Sequence, residues 1–341
     1  MKQPAKGLRL AVIGAGAWGT TLANLLAEKG ARVNFWVHEP AQTLSIARER
    51  VNALFLPGVP VHPNVTPTSS FAEVVQEAEV FVSVVPSHAV RTVWQGLGPL
   101  LPEQALIVSA TKGIEAESLL TMSGVLQEVV PSAKQVDIAA LSGPTFAREV
   151  GQKIPTAVVT AAANRAVAQE VQELFNTPVF RVYTNTDIVG VELGGALKNV
   201  MALAAGVCDG LQFGYNARAA VITRGLAEIT QLGVAMGAQA QTFAGLSGVG
   251  DLVLTCTGAL SRNHTVGVQL GQGQKLQEIL QSMRMVAEGV TTAGSAVALG
   301  QKYHVEMPIS ERMYALLHGY IEPRAAVLEL MTRALKQEDS C

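Results

Sequence analysis

From Leu8 to about Tyr183 the chain alternates short apolar, β-branched runs with stretches of helical spacing. LRLAVIG (8–14), RVNFWV (32–37), VFVSVVP (80–86), ALIVSA (105–110), VDIAALSG (136–143), TAVVTA (156–161) and PVFRVY (178–183) read as strands. Most are apolar throughout rather than at every second position, so both of their faces are covered, as in a parallel sheet between helix layers. The segments between them fit crossover helices: TTLANLLAEKG stops at Gly30 and NRAVAQEVQELFNT starts at Asn164. The alternation predicts an α/β fold, a Rossmann-like doubly wound sheet, for residues 1–187.

Beyond about Asp187 the strand pattern ends. Stretches rich in Ala, Leu, Met and Gly take over, and their spacing predicts an all-α domain over 188–341, with helices near 188–207, 216–237, 242–247, 264–271, 275–282, 291–303, 308–319 and 323–336. No repeat, low-complexity run or flexible linker interrupts the chain, so the halves are expected to meet in a rigid interface that holds a cleft.

Length agrees with two domains, because 341 residues can bury two cores. Apolar residues make up 49% and charged residues 15%, which excludes a disordered chain. A formal charge of −2 without clustered Lys or Arg argues against a nucleic acid partner. Cys208, Cys256 and Cys341 fit neither a disulfide framework nor a metal site, so reduced thiols in a cytoplasm are expected. The first apolar run is broken by glycines at 14, 16 and 19, unlike a secretory signal, and no run reaches about 18 residues without charges or breakers, so no membrane span is expected.

Those glycines form GAGAWG (14–19), a G-x-G-x-x-G between a strand and an amphipathic helix, with a second strand ending near His38. In that context Gly14 makes a tight turn, Gly16 admits a pyrophosphate to the backbone, and Gly19 lets helix and strand close up. Ala17 and Trp18 complete the loop, and Trp18 either packs there or borders the ligand. His38 stands where an NAD-specific fold carries an acid for the ribose 2′-hydroxyl. An imidazole tolerates a 2′-phosphate, which favours NADPH over NADH, although a one-residue shift would give the position to Glu39.

Three polar islands suit a small anionic substrate such as a phosphate ester. SATKGIE (109–115) places Lys112 after a strand; LSGPTFAREV (141–150) offers Ser142, Gly143 and Thr145; and the glycine-rich stretch 245–267, read as a loop, holds Asp251, Thr255, Ser261, Arg262 and Asn263. In GALKNVMALAAG (195–206) Lys198 stands alone among small apolar residues. A desolvated lysine has a lowered pKa and can give or take a proton, as ketone reduction requires. The structural alternative is a side chain that snorkels to the surface or pairs with Glu192 or Asp251.

VIGAGAWGTTLA, SATKGIE, LSGPTFAREV, ELGGALKNVMALAAG, GLSGVGDLVLTCTGALSRNHTVG and VAEGVTTA together resemble the bacterial-type NAD(P)-dependent glycerol-3-phosphate dehydrogenases, in the family's order and over nearly the whole chain. The resemblance implies reversible reduction of dihydroxyacetone phosphate to sn-glycerol 3-phosphate for glycerophospholipid synthesis, by a cytoplasmic homodimer. It implies that Lys198 is the proton donor and acceptor, and that Lys112, Gly143, Thr145, Asp251, Ser261, Arg262 and Asn263 border the substrate. It places Trp18, His38, Lys112, Ala147, Arg262, Val286 and Glu288 at the cofactor; Val286 and Glu288 rest on the resemblance alone. Thr145 replaces the serine more common in the family and keeps the hydroxyl. The rival readings are a two-domain dehydrogenase for 3-hydroxyacyl-CoA or 6-phosphogluconate, and a non-catalytic NAD(P) sensor, which would have no use for Lys198.

Overall fold

The computed structural model describes residues 6–283, 287–335, 337 and 338, and the chain divides into two compact units. The first is Met1–Thr111 with Met122–Ile188; the second is Lys112–Thr121 with Val189–Cys341. A single cut at 187/188 therefore does not describe the excursion Lys112–Thr121. That excursion is closed by a bridge between Ile114 and Thr121, and Ile114 lies in the second unit's core.

The first unit is built on eight strands: β1 (Arg9–Ile13), β2 (Arg32–Trp36), β3 (Val65–Thr68), β4 (Val80–Ser83), β5 (Gln104–Ser109), β6 (Gln135–Ser142), β7 (Thr156–Ala161) and β8 (Phe180–Asn185). They lie in the order β3-β2-β1-β4-β5-β6-β7-β8. The first six repeat the order of a doubly wound dinucleotide fold, with the switch point beside β1. Leu10, Val12, Phe35, Val82 and Val108 are buried along these strands, as near-continuous apolar runs require.

Two features depart from the sequence reading. Strand β3, VTPT, went unforeseen because it has no apolar run and contains Pro67. It survives as a sheet edge, where a missing N–H is tolerated. Strand β7 runs antiparallel to β6, so the sheet is not wholly parallel. Between them lies only the five-residue helix Ala147–Gly151, about 8 Å long, which is too short to carry the chain back along β6 for a parallel return.

The second unit is helical. Its central helix, Ile188–Gly210, is buried continuously from Gly190 to Cys208. With a mean hydropathy of 1.4 it is long and apolar enough to cross a membrane, yet 89% of that stretch is buried within the protein, as befits a core helix that buries even its few polar residues, Glu192, Lys198 and Asn199. Its small residues admit the helix Arg262–Gly271 to backbone contact: a Cβ on Gly206 would lie 2.2 Å from the His264 carbonyl oxygen, and one on Gly267 would lie 2.1 Å from that of Leu203. The stretch read as a loop over 245–267 is mostly helical. A kinked turn at Leu246–Gly250, bent at Gly248, leads into the helix Asp251–Thr257, and Arg262 opens the next. The glycines serve that kink and close packing rather than a loop.

Candidate functional site

Within the second unit, three of the expected charged residues converge. Lys198, 6% exposed, donates from Nζ to Asp251 Oδ1 at 2.5 Å and to Thr255 Oγ1 at 2.7 Å. Lys112 reaches the other carboxylate oxygen, Oδ2, at 2.7 Å. Asp251 is fully buried and opens the helix Asp251–Thr257, while the Thr255 hydroxyl donates to the Asp251 carbonyl at 2.6 Å. One carboxylate thus holds two ammonium groups, so each buried charge is paired and the trio carries a net positive charge that suits an anionic ligand.

Burial lowers the Lys198 pKa to about 8; Asp251 pulls it upward and the Lys112 charge pushes it down. The alternative of a surface lysine therefore fails, and the pairing with Asp251 is part of the buried cluster itself. Cys256, one residue beyond Thr255, is fully buried and its thiol is pushed up to about 12 by burial, so no thiolate competes there.

Ser261, Arg262 and Asn263 start the neighbouring helix. Ser261 is its N-cap, accepting from the His264 N–H at 3.3 Å. Asn263 is buried and acts as a strut: its amide donates to Asn199 Oδ1 at 2.8 Å, and its oxygen accepts from the Gly289 N–H at 3.0 Å. That ties the residue after Lys198 to the first turn of the helix Glu288–Tyr303. Arg262 is exposed as a residue, although crowding of its guanidinium lowers its pKa, and the Glu288 carboxylate counters that lowering. Val286 lies outside the described residues.

In the first unit the glycine turn has the geometry a dinucleotide needs. Gly14 takes φ +120°, and a Cβ there would meet the Val84 backbone at 2.8 Å. A Cβ on Gly19 would lie 1.9 Å from the Gly14 carbonyl oxygen, so that position too is closed to a side chain. Gly16, the N-cap of the helix Ala17–Glu28, instead faces open space, with nothing within 4 Å of the place its Cβ would take. Close approach of a pyrophosphate to the backbone and a helix N-terminus requires an open face of this kind. Trp18 packs half-buried against the core, 6.4 Å from the Phe180 ring, with its indole N–H buried and lacking an acceptor among the described residues.

Gly143, Thr145 and Ala147 share one turn after β6. Gly143 takes φ +135° and its carbonyl accepts from the Thr145 hydroxyl at 3.2 Å. The Ala147 carbonyl accepts from Thr21 Oγ1 at 3.0 Å, which fixes this turn to the helix Ala17–Glu28. His38 lies exposed just beyond β2, its ring 5.7 Å from that of Trp36, and Glu39 beside it holds the N-cap position of the helix Pro40–Glu49 without a side-chain capping bond. The residue that sequence reasoning missed is Asn52, fully enclosed and hydrogen-bonded to Ala15 in the glycine turn. Asparagine in a Pro/Gly-flanked stretch reads as a turn former, and only the fold reveals its target. Among the described residues no group of three His, Cys, Asp or Glu side chains could hold a metal ion.

Comparison with known proteins gives consistent matches along the chain. Residues 9–168 match the family model described as NAD-dependent glycerol-3-phosphate dehydrogenase N-terminus, and residues 187–328 match the corresponding C-terminus model. The glycerol-3-phosphate dehydrogenase [NAD(P)+] of Citrifermentans bemidjiense is 58% identical over 330 residues, covering 97% of this chain and 98% of that protein. That of Geobacter sulfurreducens is 56% identical over 330 residues, with the same coverage. The crystal structure of glycerol-3-phosphate dehydrogenase from Coxiella burnetii superposes with a TM-score of 0.92 at 38% identity, covering 97% of this chain and all of that one.

Proposed function

The chain belongs to the NAD-dependent glycerol-3-phosphate dehydrogenase family, and from that premise we propose how its residues divide the work. The reaction is the NAD(P)H-dependent, reversible reduction of dihydroxyacetone phosphate to sn-glycerol 3-phosphate. The observation that carries the residue assignment is the buried Lys198 amine, fixed by Asp251 and Thr255 and lowered to about 8.

An ammonium has three N–H donors. Asp251 and Thr255 take two from Lys198, which leaves the third for the substrate oxygen on which charge develops. Lys198 is the proton donor in reduction and the acceptor in oxidation. Asp251 holds Lys198 and Lys112 at fixed separation. Lys112 and Arg262 supply positive charge for the phosphate; Gly143, Thr145, Ser261 and Asn263 offer further polar groups to the substrate, Asn263 with its strut bonds kept.

Gly14, Gly16, Ala17, Trp18 and Gly19 form the dinucleotide cradle with Ala147 and His38, and the family resemblance adds Lys112, Arg262, Val286 and Glu288 to the residues assigned to the cofactor. When bound, the reduced nicotinamide supplies the hydride. NADPH is favoured over NADH, because His38 tolerates a 2′-phosphate that a carboxylate would repel. The chain works as a homodimer in the cytoplasm, without nucleic acid or membrane partners, and its product supplies glycerophospholipid synthesis.

Lys198→Ala tests the central assignment. The expected result is a fall in turnover of about 10²–10⁴-fold, with NADPH affinity in a direct titration unchanged. Turnover near wild type would remove Lys198 from the proton-transfer role. Kinetics with NADH and NADPH side by side decide the cofactor preference.

A further inference from the structure

We infer that Asn52 is a positioning residue for cofactor binding, which sets the direction of the backbone N–H groups in the glycine turn. The inference rests on the reading of that turn as the dinucleotide site.

Asn52 is 1% exposed, and both ends of its amide are in use. Its Nδ2 donates to the Ala15 carbonyl at 2.9 Å and to Thr20 Oγ1 at 2.8 Å. Its Oδ1 accepts from Gln42 Nε2 at 3.1 Å and from the Phe55 N–H at 3.3 Å. The orientation of the amide is fixed, because the Ala15 carbonyl can only accept and the Phe55 N–H can only donate. Thr20, which accepts from Asn52, passes its own proton to the Gly16 carbonyl at 2.9 Å. One buried side chain therefore holds the carbonyl of Ala15 directly and that of Gly16 through Thr20.

A trans peptide is planar, with its C=O and N–H pointing in opposite directions. Anchoring the Ala15 and Gly16 carbonyls on the Asn52 side turns the N–H groups of Gly16 and Ala17 to the other side. An anion at a helix N-terminus is bound by such N–H groups, and Gly16 is the position where a side chain would project into open space. Without Asn52 the Ala15 carbonyl would lose the donor that holds it back, and the peptide could rotate its oxygen toward the phosphates.

The chain around Asn52 is itself fastened to the same helix. Asn24, on Ala17–Glu28, donates to the Pro60 carbonyl at 2.8 Å and accepts from the His62 N–H at 2.9 Å. Residues 52–62 thus form a strap along the helix whose N-terminus receives the cofactor, with Asn52 at the end that touches the turn.

The test is a direct titration of Asn52→Asp with NADPH, followed by tryptophan quenching or calorimetry, together with thermal melts and steady-state kinetics. Aspartate keeps the size but places an acceptor opposite the Ala15 carbonyl. The expected result is a tenfold or greater rise in NADPH Kd and KM. The KM for dihydroxyacetone phosphate and kcat at saturating NADPH should stay within about threefold. A folded variant with wild-type NADPH Kd overturns the inference, and so does one whose only defect is a lower melting temperature or a smaller active fraction. If Asn52→Asp does not fold, Gln42→Leu decides, since it removes one donor to Oδ1 from a half-exposed position. A threefold or greater rise in Kd supports the inference, and an unchanged Kd overturns it. Wild-type protein that binds no NADPH would overturn the parent reading as well, whereas wild-type binding matched by a folded variant sinks this inference alone.

Discussion

Lys198 owes its usefulness to opposed forces, of which burial is the largest. Burial and the Lys112 charge favour the neutral amine, Asp251 favours the ammonium, and the balance lies at about 8. Reduction consumes a proton, so it needs the ammonium: its kcat is expected to fall as pH rises through about 8, while glycerol 3-phosphate oxidation rises over the same range. Asp251→Asn removes the group that holds the pKa up, so both limbs should move to lower pH. The same change leaves two lysines without their shared counter-charge, at a cost of about 3–5 kcal/mol in stability. Rate profiles from pH 6 to 9.5 and urea titrations check both effects, and a limb that stays in place would show that Asp251 does not tune Lys198. Lys112, Lys198 and Asp251 were legible from the sequence because charge stands out in an apolar chain. Asn52 was not, because its role depends on which carbonyl it meets.

Secondary elements were legible where one physical signal dominated. Seven strands of the sheet announced themselves as apolar runs, whereas β3 has Thr, Pro and Thr after Val65 and owes its place to pairing with β2. The antiparallel turn of β7 was hidden because an apolar strand reads the same in either direction. The kink at Gly248 was mistaken for a loop, since glycine signals both a break and a close approach. The close approach at Gly206 is testable: Gly206→Val drives a side chain into the His264 carbonyl. Overpacking of that kind costs about 1–3 kcal/mol or more, and a melting temperature equal to wild type would contradict the packing. A second test concerns Glu228, buried on the helix Gly214–Ala235. It accepts from the Ile309 and Ser310 N–H groups at 2.8 and 3.0 Å and from the Ser310 hydroxyl at 2.6 Å, capping the helix Pro308–Leu317. Burial raises its pKa from 4.5 to about 7, against the pull of these hydrogen bonds. Between those values the folded state keeps a proton that the unfolded state releases, so this group's contribution to stability declines as pH rises from 4.5 to 7. Glu228→Gln, which cannot ionise, should flatten that slope in urea titrations at pH 5, 6 and 7. An unchanged slope would assign the pH dependence elsewhere.

At the scale of the whole molecule, the division of the chain matters more than its halfway point suggests. The chain passes between the units three times, at 111/112, 121/122 and 188/189. The ten-residue excursion after β5 brings the second unit Ile114, 3% exposed in its core, and Lys112, the second cation on Asp251. Composition could not reveal this, because the change from strand to helix pattern occurs only once, near Asp187. A fragment of residues 188–341 would therefore lack part of its own core and part of its charge balance. Loss of a buried Ile side chain costs about 2–5 kcal/mol, and loss of the charged hydrogen bond from Lys112 to Asp251, which keeps Lys198 as its counter-charge, about 1.5–3 kcal/mol. Together these approach the total of about 5–15 kcal/mol that holds an ordinary domain folded. The fragment is expected to show no cooperative thermal transition by circular dichroism and little amide dispersion by NMR. A version that joins residues 112–121 to 188–341 through a flexible linker should melt cooperatively at a higher temperature. If the bare fragment 188–341 melts as sharply as the longer one, the excursion is dispensable to the second unit's fold, and the contribution assigned to Ile114 and Lys112 is wrong.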